Sequence, residues 1–477
     1  MSTDSDPLTV AIVGAGPAGF YAADALLRKQ ARCRIDILDR LPTPFGLVRS
    51  GVAPDHQSTK NVIRLYDRIL RDDSVRLVGN VELGSDVSYA ELKSLYDVVV
   101  LAFGAQEPRR LAIPGEDLDG VVDSVGFVDW YNAVPGARDL AEAVGRARAA
   151  VVVGNGNVAL DIVRLLAKTA DELAEGDIDP DAARAIAAAP LTDIWLVGRR
   201  GPLQASFTAP ELAELGELAE AVPVVDAAEL PDSADSVPEG DRPKKDKNLR
   251  ILRAFAEAGG ADDPRPVKIR LAFCASPVAV LGEERMRAVR LERNRLDGGR
   301  ALPTGETFDI EAELLVTAIG YRSRIAADGP PLDDKRGIVR NDRGRVEPGV
   351  YAVGWARRGP TGVIGTNRND AREVIDAVLA DPRIKSGATP GGKPGPAGLD
   401  ALLAERGARV VDYQGWLSID AAEVAAAGGD ARRPRIKLTR VEDMLSIAEA
   451  AAGLRRAEAA SAAQAGAELK RTGRAAN

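Results

Sequence analysis

The chain has 477 residues, 45% of them apolar, 28% charged and only 4% aromatic. At ~150 residues per domain that is material for about three units or two large ones. Lys and Arg number 63 against 71 Asp and Glu, and the net charge of −8 argues against a general nucleic-acid binder. Two cysteines far apart (Cys33, Cys274) and one histidine (His56) exclude a structural zinc site, a cysteine-ligated iron–sulfur cluster, a dithiol relay and a three-histidine metal centre. No metal is expected, and redox work here requires a borrowed cofactor.

The sequence opens MSTDSDPL, without the positive flank and apolar run of a secretory signal. No apolar stretch approaches the ~18 residues of a membrane span. The expected location is the cytoplasm or another reducing compartment.

The first 40 residues carry the strongest signal. Residues 8–13 (LTVAIV) read as a buried parallel strand, followed by Gly14-x-Gly16-x-x-Gly19 and a helical FYAADALLRKQ. A second strand, CRIDILD, ends at Asp39, which lies 20 residues past Gly19. This is the layout of a dinucleotide-binding βαβ unit. Gly14 permits the tight turn, and Gly16 lets a pyrophosphate lie on the backbone at a helix N-terminus. Gly19 lets helix and strand pack closely, and Asp39 would accept hydrogen bonds from a ribose 2′-hydroxyl.

DVVVLAFGA (97–105) reads as a buried strand running into a glycine turn, a pattern repeated by LLVTAIGY (314–321), 216 residues on from Gly104 to Gly320. Between them lies a second βαβ unit. AAVVV (149–153) leads into Gly154-Asn155-Gly156-Asn157-Val158-Ala159 and a helix through LDIVRLLAKTA. Ala159 still allows close packing in place of the third glycine. The strand DIWLVG (193–198) ends not in an acid but in Arg199-Arg200, which would pair with a 2′-phosphate and so select NADP over NAD. The bland alternative is solvated surface charge. Opposite sugar-end residues imply two different nucleotides, FAD in the first site and NADPH in the second. The expected fold is α/β, with two Rossmann-like (three-layer ββα type) domains, the NADP domain inserted into the FAD domain. The boundaries read as 1–106 and 321–453 for FAD and 107–320 for NADP.

Farther along, VYAVGWARRGPTGVIGTNRNDAREVIDAVLAD reads as strand, loop and helix, with Gly359-Pro360-Thr361-Gly362 at the helix start. A Gly/Pro-rich linker spans 386–398, LDALLAERG reads as a helix, and the Ala-rich charged tail 454–477 reads as a single exposed helix or a disordered segment.

VGAGPAGFYAADALL, LPTPFGLVRSGVAPDH, GNGNVALDIVRLL, LVGRRGPLQASFT and GWARRGPTGVIGT together resemble the adrenodoxin reductase family, which includes the mycobacterial-type NADPH–ferredoxin reductases. The resemblance runs from about residue 8 to about 450. It implies non-covalent FAD, hydride from NADPH, and two single-electron transfers to an acidic ferredoxin or similar iron–sulfur partner. It also implies FAD contacts from Ala18, Asp39, Leu47, Leu83, Trp355 and Gly362-Val363-Ile364. NADP contacts would come from Asn155, Gly156, Asn157, Val158, Arg199, Arg200, Glu211 and Gly362. Asn155 stands where a Gln is common in the family.

His56, Asp161 and Glu211 match polar residues that the family places at the flavin–nicotinamide junction, where they would act catalytically. Their plainer alternatives are a loop histidine, a complement to a helix dipole and a first-turn acid. Arg242, Lys244, Lys245, Lys247 and Arg250 match a partner-docking stretch, against the alternative of a solvated face.

Two rival functions stand beside ferredoxin reduction. One keeps the enzyme class but changes the acceptor, to a quinone or a dye, or to the role of the flavoprotein half of glutamate synthase. That half carries an N-terminal cysteine-rich region absent from this sequence. The other is a passive FAD-holding or NADPH-sensing module, against which the second fingerprint and its arginines speak. Nothing in the sequence demands an oligomer.

Overall fold

The computed structural model describes residues 7–29, 32–323, 328–385 and 392–474. Two six-stranded sheets organise it. In the first, the order is Arg345–Glu347, Val350–Ala352, Val98–Leu101, Leu8–Val13, Cys33–Asp39, Val75–Gly79, all parallel except the antiparallel Arg345–Glu347 edge. In the second, the order is Val121–Asp123, Leu314–Thr317, Ala149–Val153, Asp193–Val197, Val267–Ala272, Ala221–Val225, all parallel. Strands such as VVVL and LLVT are buried along their whole length, as a sheet covered on both faces requires.

Helices Pro17–Lys29 and Thr366–Ala380 cover one face of the first sheet, joined there by Trp416, Ile419, Met444 and Leu445 from the C-terminal helices. Its other face is closed mainly by helices Tyr89–Leu95 and Gly395–Glu405. The second sheet packs helices on one face and a three-stranded antiparallel sheet (Ala275–Gly282, Met286–Asp297, Arg300–Glu311) on the other. The two domains are thus α/β units of layered, Rossmann-like build, the second interrupting the first.

The chain crosses between domains at a two-stranded ribbon, where Tyr321 and Arg322 pair antiparallel with Pro108 and Glu107. Arg109 N–H donating to Gly320 O at 3.0 Å and Ser323 Oγ donating to Gly104 O at 2.7 Å tighten this crossing. A second link is ionic and buried. Asp177, from the inserted domain, pairs with Lys60 at 2.6 Å and Lys437 at 3.3 Å, and Lys437 Nζ donates to Asn132 Oδ1. Burial raises the Asp177 carboxyl and the two ammonium groups outweigh it, so its pKa is lowered.

Part of the expected 386–398 linker, up to 391, lies outside the described residues, and so does 475–477 of the tail. Helix Val441–Arg474 runs into the tail region. Among the described residues no helix is long and apolar enough to cross a membrane.

Candidate functional site

The Leu8–Val13 strand runs straight into Gly14, whose φ of +116° no side chain favours; a Cβ there would stand 2.6 Å from Ala102 O. Asp39 closes the turn from the second strand. Its Oδ2 accepts the Ala15 N–H at 2.8 Å and its Oδ1 accepts the Leu41 N–H at 3.0 Å. Burial raises this carboxyl's pKa against those two bonds. The Pro44–Leu47 segment lies on the turn so closely that a Cβ on Gly46 would stand 2.8 Å from Gly16 Cα.

Next to Gly46 the large apolar side chain of Leu47 is open at 44% exposure, and in the loop before helix Thr366–Ala380 that of Val363 is open at 63%. Leu83 is half-buried just past strand Val75–Gly79, near Asp39, whose carbonyl accepts the Val81 N–H at 2.8 Å. Gly354 abuts the buried Ala18, and Trp355 stacks on Tyr321 with ring centroids 6.0 Å apart. Ile364 packs against the core.

One expectation needs correction here. Gly359-Pro360-Thr361-Gly362 is not the start of the long helix, which begins at Thr366. Gly359 and Gly362 have φ of +84° and +82°, so the segment is a loop between the short Trp355–Arg358 helix and the long one. Thr366 Oγ1 holds it by accepting the Val363 N–H at 3.1 Å.

The second turn is built differently. Gly154 has φ +140°, and a Cβ would stand 2.2 Å from Ala318 O. Gly156 caps helix Asn157–Leu166, Val158 is half-buried, and Ala159 is buried in place of a third glycine. The Asn155 side chain lies flat on Gly198. The Asn155 backbone carbonyl accepts the N–H groups of Ser206 at 2.7 Å and Phe207 at 3.0 Å, while Asn157 Oδ1 accepts the Thr208 N–H at 2.9 Å. Asn155 Oδ1 and Gln204 Oε1 are buried without a partner. Arg199 and Arg200 are exposed; their backbone carbonyls are held by Asn294 Nδ2 and the Cys274 N–H, and among the described residues no carboxylate pairs with either guanidinium.

Between the domains, His56, Asp161 and Glu211 come together. Gly176 is packed on Pro54 O, and the Asp177 N–H donates to that carbonyl at 3.1 Å, so the inserted domain pins the Pro54-Asp55-His56 loop. His56 Nδ1 is 3.9 Å from Asp161 Oδ1, and its Nε2 is 3.7 Å from Glu211 Oε2.

Three residues that sequence reasoning missed complete the cluster: Arg164, Glu214 and Asp55. The buried Arg164 guanidinium donates to Asp161 Oδ1 at 2.8 Å, pairs with Glu214 Oε2 at 3.0 Å and with Asp55, and reaches His56 Nε2 at 2.9 Å. His56 Nε2 also lies 3.0 Å from Glu214 Oε2. That nitrogen therefore has a donor (Arg164) and an acceptor (Glu214) in reach, and either of its protonation states finds a partner.

The carboxylates of this cluster diverge. Burial raises Asp55, but Arg164 and Lys168 outweigh it and bring its pKa down to about 2. Burial, reinforced by Asp161 and Glu214, pushes Glu211 up to about 7. Burial also raises Asp161. Glu211 Oε2 is buried without a hydrogen bond.

His56, Glu211 and Glu214 each present one atom within 4.8 Å of the others, the spacing of a metal trio. The Arg164 guanidinium already occupies the cation's place, in contact with both His56 Nε2 and Glu214 Oε2, which disfavours a metal ion there.

The basic run forms the start of helix Arg242–Glu257 and divides by direction. Lys244, Lys247 and Arg250 are exposed; Arg242 and Lys245 are half-buried. Arg242 donates to the carbonyls of Val237 and Asp235, and Lys245 to Ala205 O.

The residues in place fit both nucleotides. Open apolar side chains next to glycines suit a flat ring, and unpaired guanidiniums with orphaned amide oxygens suit a phosphorylated, hydrogen-bonding ligand.

Comparisons with known proteins agree with this geometry. Residues 8–175 match the pyridine nucleotide-disulphide oxidoreductase family, although Cys33 and Cys274 form no disulfide. The chain is 40% identical over 461 residues to the mitochondrial NADPH:adrenodoxin oxidoreductase of Rattus norvegicus, spanning 94% of this chain and 92% of that one. It is 40% identical over 458 residues to the NADPH-ferredoxin reductase FprA of Mycobacterium tuberculosis, spanning 92% and 99%. The structure of Mycobacterium tuberculosis FprA in complex with NADPH matches with a TM-score of 0.86 at 38% identity, over 93% of this chain and 99% of that one. This chain belongs to the family of NADPH:adrenodoxin oxidoreductases and FprA-type NADPH–ferredoxin reductases.

Proposed function

We propose that the chain is an NADPH-dependent ferredoxin reductase that moves hydride from NADPH to a non-covalently held FAD and electrons, one at a time, to an acidic iron–sulfur protein. One observation carries this reading. Two fingerprint turns with opposite sugar-end residues, Asp39 and Arg199-Arg200, sit on two sheets whose domains meet at the His56 cluster. FAD, when bound, supplies the exchange between a two-electron donor and a one-electron acceptor.

The protein's part is holding and orienting. Asp39 holds a ribose while its other lone pairs fix the turn, and the amides at Gly16 face a pyrophosphate. Leu47, Leu83, Trp355 and Gly362-Val363-Ile364 shape the ring's bed, and Ala18 lets the backbone approach. Asn155 to Val158 cradle the second pyrophosphate, and Arg199 and Arg200 hold the 2′-phosphate.

At the junction, Glu211, pushed up to about 7 by burial, would carry a proton near neutral pH, with its Oε2 3.7 Å from His56 Nε2. Arg164, gripped by Asp55 and Asp161, keeps the imidazole in place. Burial keeps water from the Arg164 guanidinium, whose side chain is only 4% exposed, while His56 at 17% and Glu211 at 22% stay accessible from the cleft.

Lys244, Lys247 and Arg250 face solvent and would steer an acidic partner by a salt-dependent field. The cytoplasm, which a sequence with only two, widely spaced cysteines suits, is the proposed compartment. The test is steady-state NADPH oxidation with an acidic ferredoxin or a small dye as acceptor. Ferredoxin reduction that weakens with added salt is expected; turnover with the dye but not with ferredoxin would refute the assignment.

A further inference from the structure

Helix Arg242–Glu257 lies along the 205–208 segment and grips it twice. Lys245 Nζ donates to Ala205 O, and Asn248 Nδ2 donates to Phe207 O at 3.1 Å. That segment in turn grips the second fingerprint turn at Asn155 O and Asn157 Oδ1, and it follows Arg199-Arg200 by a few residues. Lys245 therefore stands on the turn's side of the helix, not on the exposed side with Lys244, Lys247 and Arg250.

The surroundings of this ammonium are unbalanced. It has three N–H donors, and the structure gives it one acceptor, Ala205 O. No carboxylate pairs with it among the described residues. Burial lowers its pKa, Asp241 just before the helix opposes that, and Arg200 and Lys244 lower it further. A half-buried cation beside another cation, with unused donors, is an arrangement that a bound dianion relieves.

We propose that Lys245 is the third cation of the 2′-phosphate pocket, with Arg199 and Arg200, and so a determinant of the preference for NADPH over NADH. This rests on the NADPH reading of the second turn. It moves Lys245 from the partner-docking set to the nucleotide, and one helix then serves two ligands from two faces.

Calorimetric titration of the full, FAD-loaded chain with 2′,5′-ADP and with 5′-AMP tests it without turnover. The unmodified chain should bind 2′,5′-ADP at least ~100-fold more tightly than 5′-AMP. Lys245→Gln should weaken 2′,5′-ADP about tenfold and leave 5′-AMP within about twofold. Lys245→Arg, which keeps the charge, should retain most of the affinity, and Lys247→Gln should change neither ligand. Undiminished 2′,5′-ADP binding in Lys245→Gln overturns the inference alone. Equal losses for both ligands also overturn it, because they mean that Lys245 merely holds the 205–208 segment. If the unmodified chain does not distinguish the two ligands, the NADPH reading itself falls, and this inference with it.

Discussion

The two fingerprint turns share a backbone plan but solve the sugar-end problem in opposite ways. At the first, one half-buried acid, Asp39, both fixes the turn through the Ala15 N–H and would hold the ribose. On the proposed reading, selectivity there is built into the fold, because the residue that would reject a phosphate is the one that shapes the loop. At the second, the turn is fixed from outside, by the 205–208 segment clasping Asn155 and Asn157, and Arg199 and Arg200, the arginines proposed to select the nucleotide, stand exposed. A site held by its own acid is costly to re-engineer, whereas a site whose selecting charges are separate from its scaffold tolerates a change of nucleotide.

The contrast breaks most sharply at the glycines. Gly14→Ala would drive a methyl group to 2.6 Å from Ala102 O at an unfavourable φ, and Gly154→Ala one to 2.2 Å from Ala318 O. Gly14→Ala should yield protein purified without flavin. Gly154→Ala should retain flavin while binding NADPH at least ~100-fold more weakly. Absorption spectra and nucleotide titrations separate the two outcomes.

Next in size is Arg199→Ala with Arg200→Ala. Loss of two charge-assisted contacts should lower kcat/KM for NADPH by roughly 100-fold and leave NADH within about threefold. The matching change at the first turn, Asp39→Asn, should instead cost both flavin retention and thermal stability, because there selection and scaffold are one residue.

The junction gives a pH signature. Glu211 is held at about 7, above the ordinary carboxylate value, so the folded chain keeps its proton where the unfolded chain has lost it. The stability this contributes is complete below the ordinary value and is lost as pH rises through 7. Unmodified protein should therefore lose roughly 2–4 °C of melting temperature relative to Glu211→Gln between about pH 5 and pH 8. Asp161→Asn, by removing a neighbouring carboxylate, should move the corresponding break in the NADPH kcat/KM profile to lower pH.

The smallest effect belongs to the exposed face of helix Arg242–Glu257. Lys244→Glu with Lys247→Glu should slow ferredoxin reduction about tenfold at low salt and leave dye reduction unchanged. Equal loss with both acceptors would place the helix's main role elsewhere.

The fingerprint units at the centre of both sheets were legible in the sequence because their signals are local: an apolar run, glycines at fixed spacing, a helix, and a terminal Asp39 or Arg199; edge strands such as Ala221–Val225 and Val121–Asp123 carry no such signal. His56, Asp161 and Glu211 were reached through motif resemblance, and the structure brings them together. Arg164, Glu214 and Asp55 were missed because their role arises only when three distant segments converge. The signals present were faint: Arg164 follows Asp161 by three residues on one helix, Glu214 follows Glu211 by three, and Asp55 adjoins His56. The start of the helix at Thr366 was misread because a Pro/Gly cluster suits an N-terminus and a loop alike. The positive φ of Gly359 and Gly362 decides for the loop.

The central claim is that one chain holds a flavin and a phosphorylated nicotinamide in productive contact. Anaerobic titration of the flavin-loaded protein with NADPH, read by visible absorbance, tests it most directly. About one equivalent of NADPH should bleach the flavin, NADH should do so far more slowly, and oxidised ferredoxin should restore the colour. A flavin that stays yellow under excess NADPH, or that responds equally to NADH, would contradict the account.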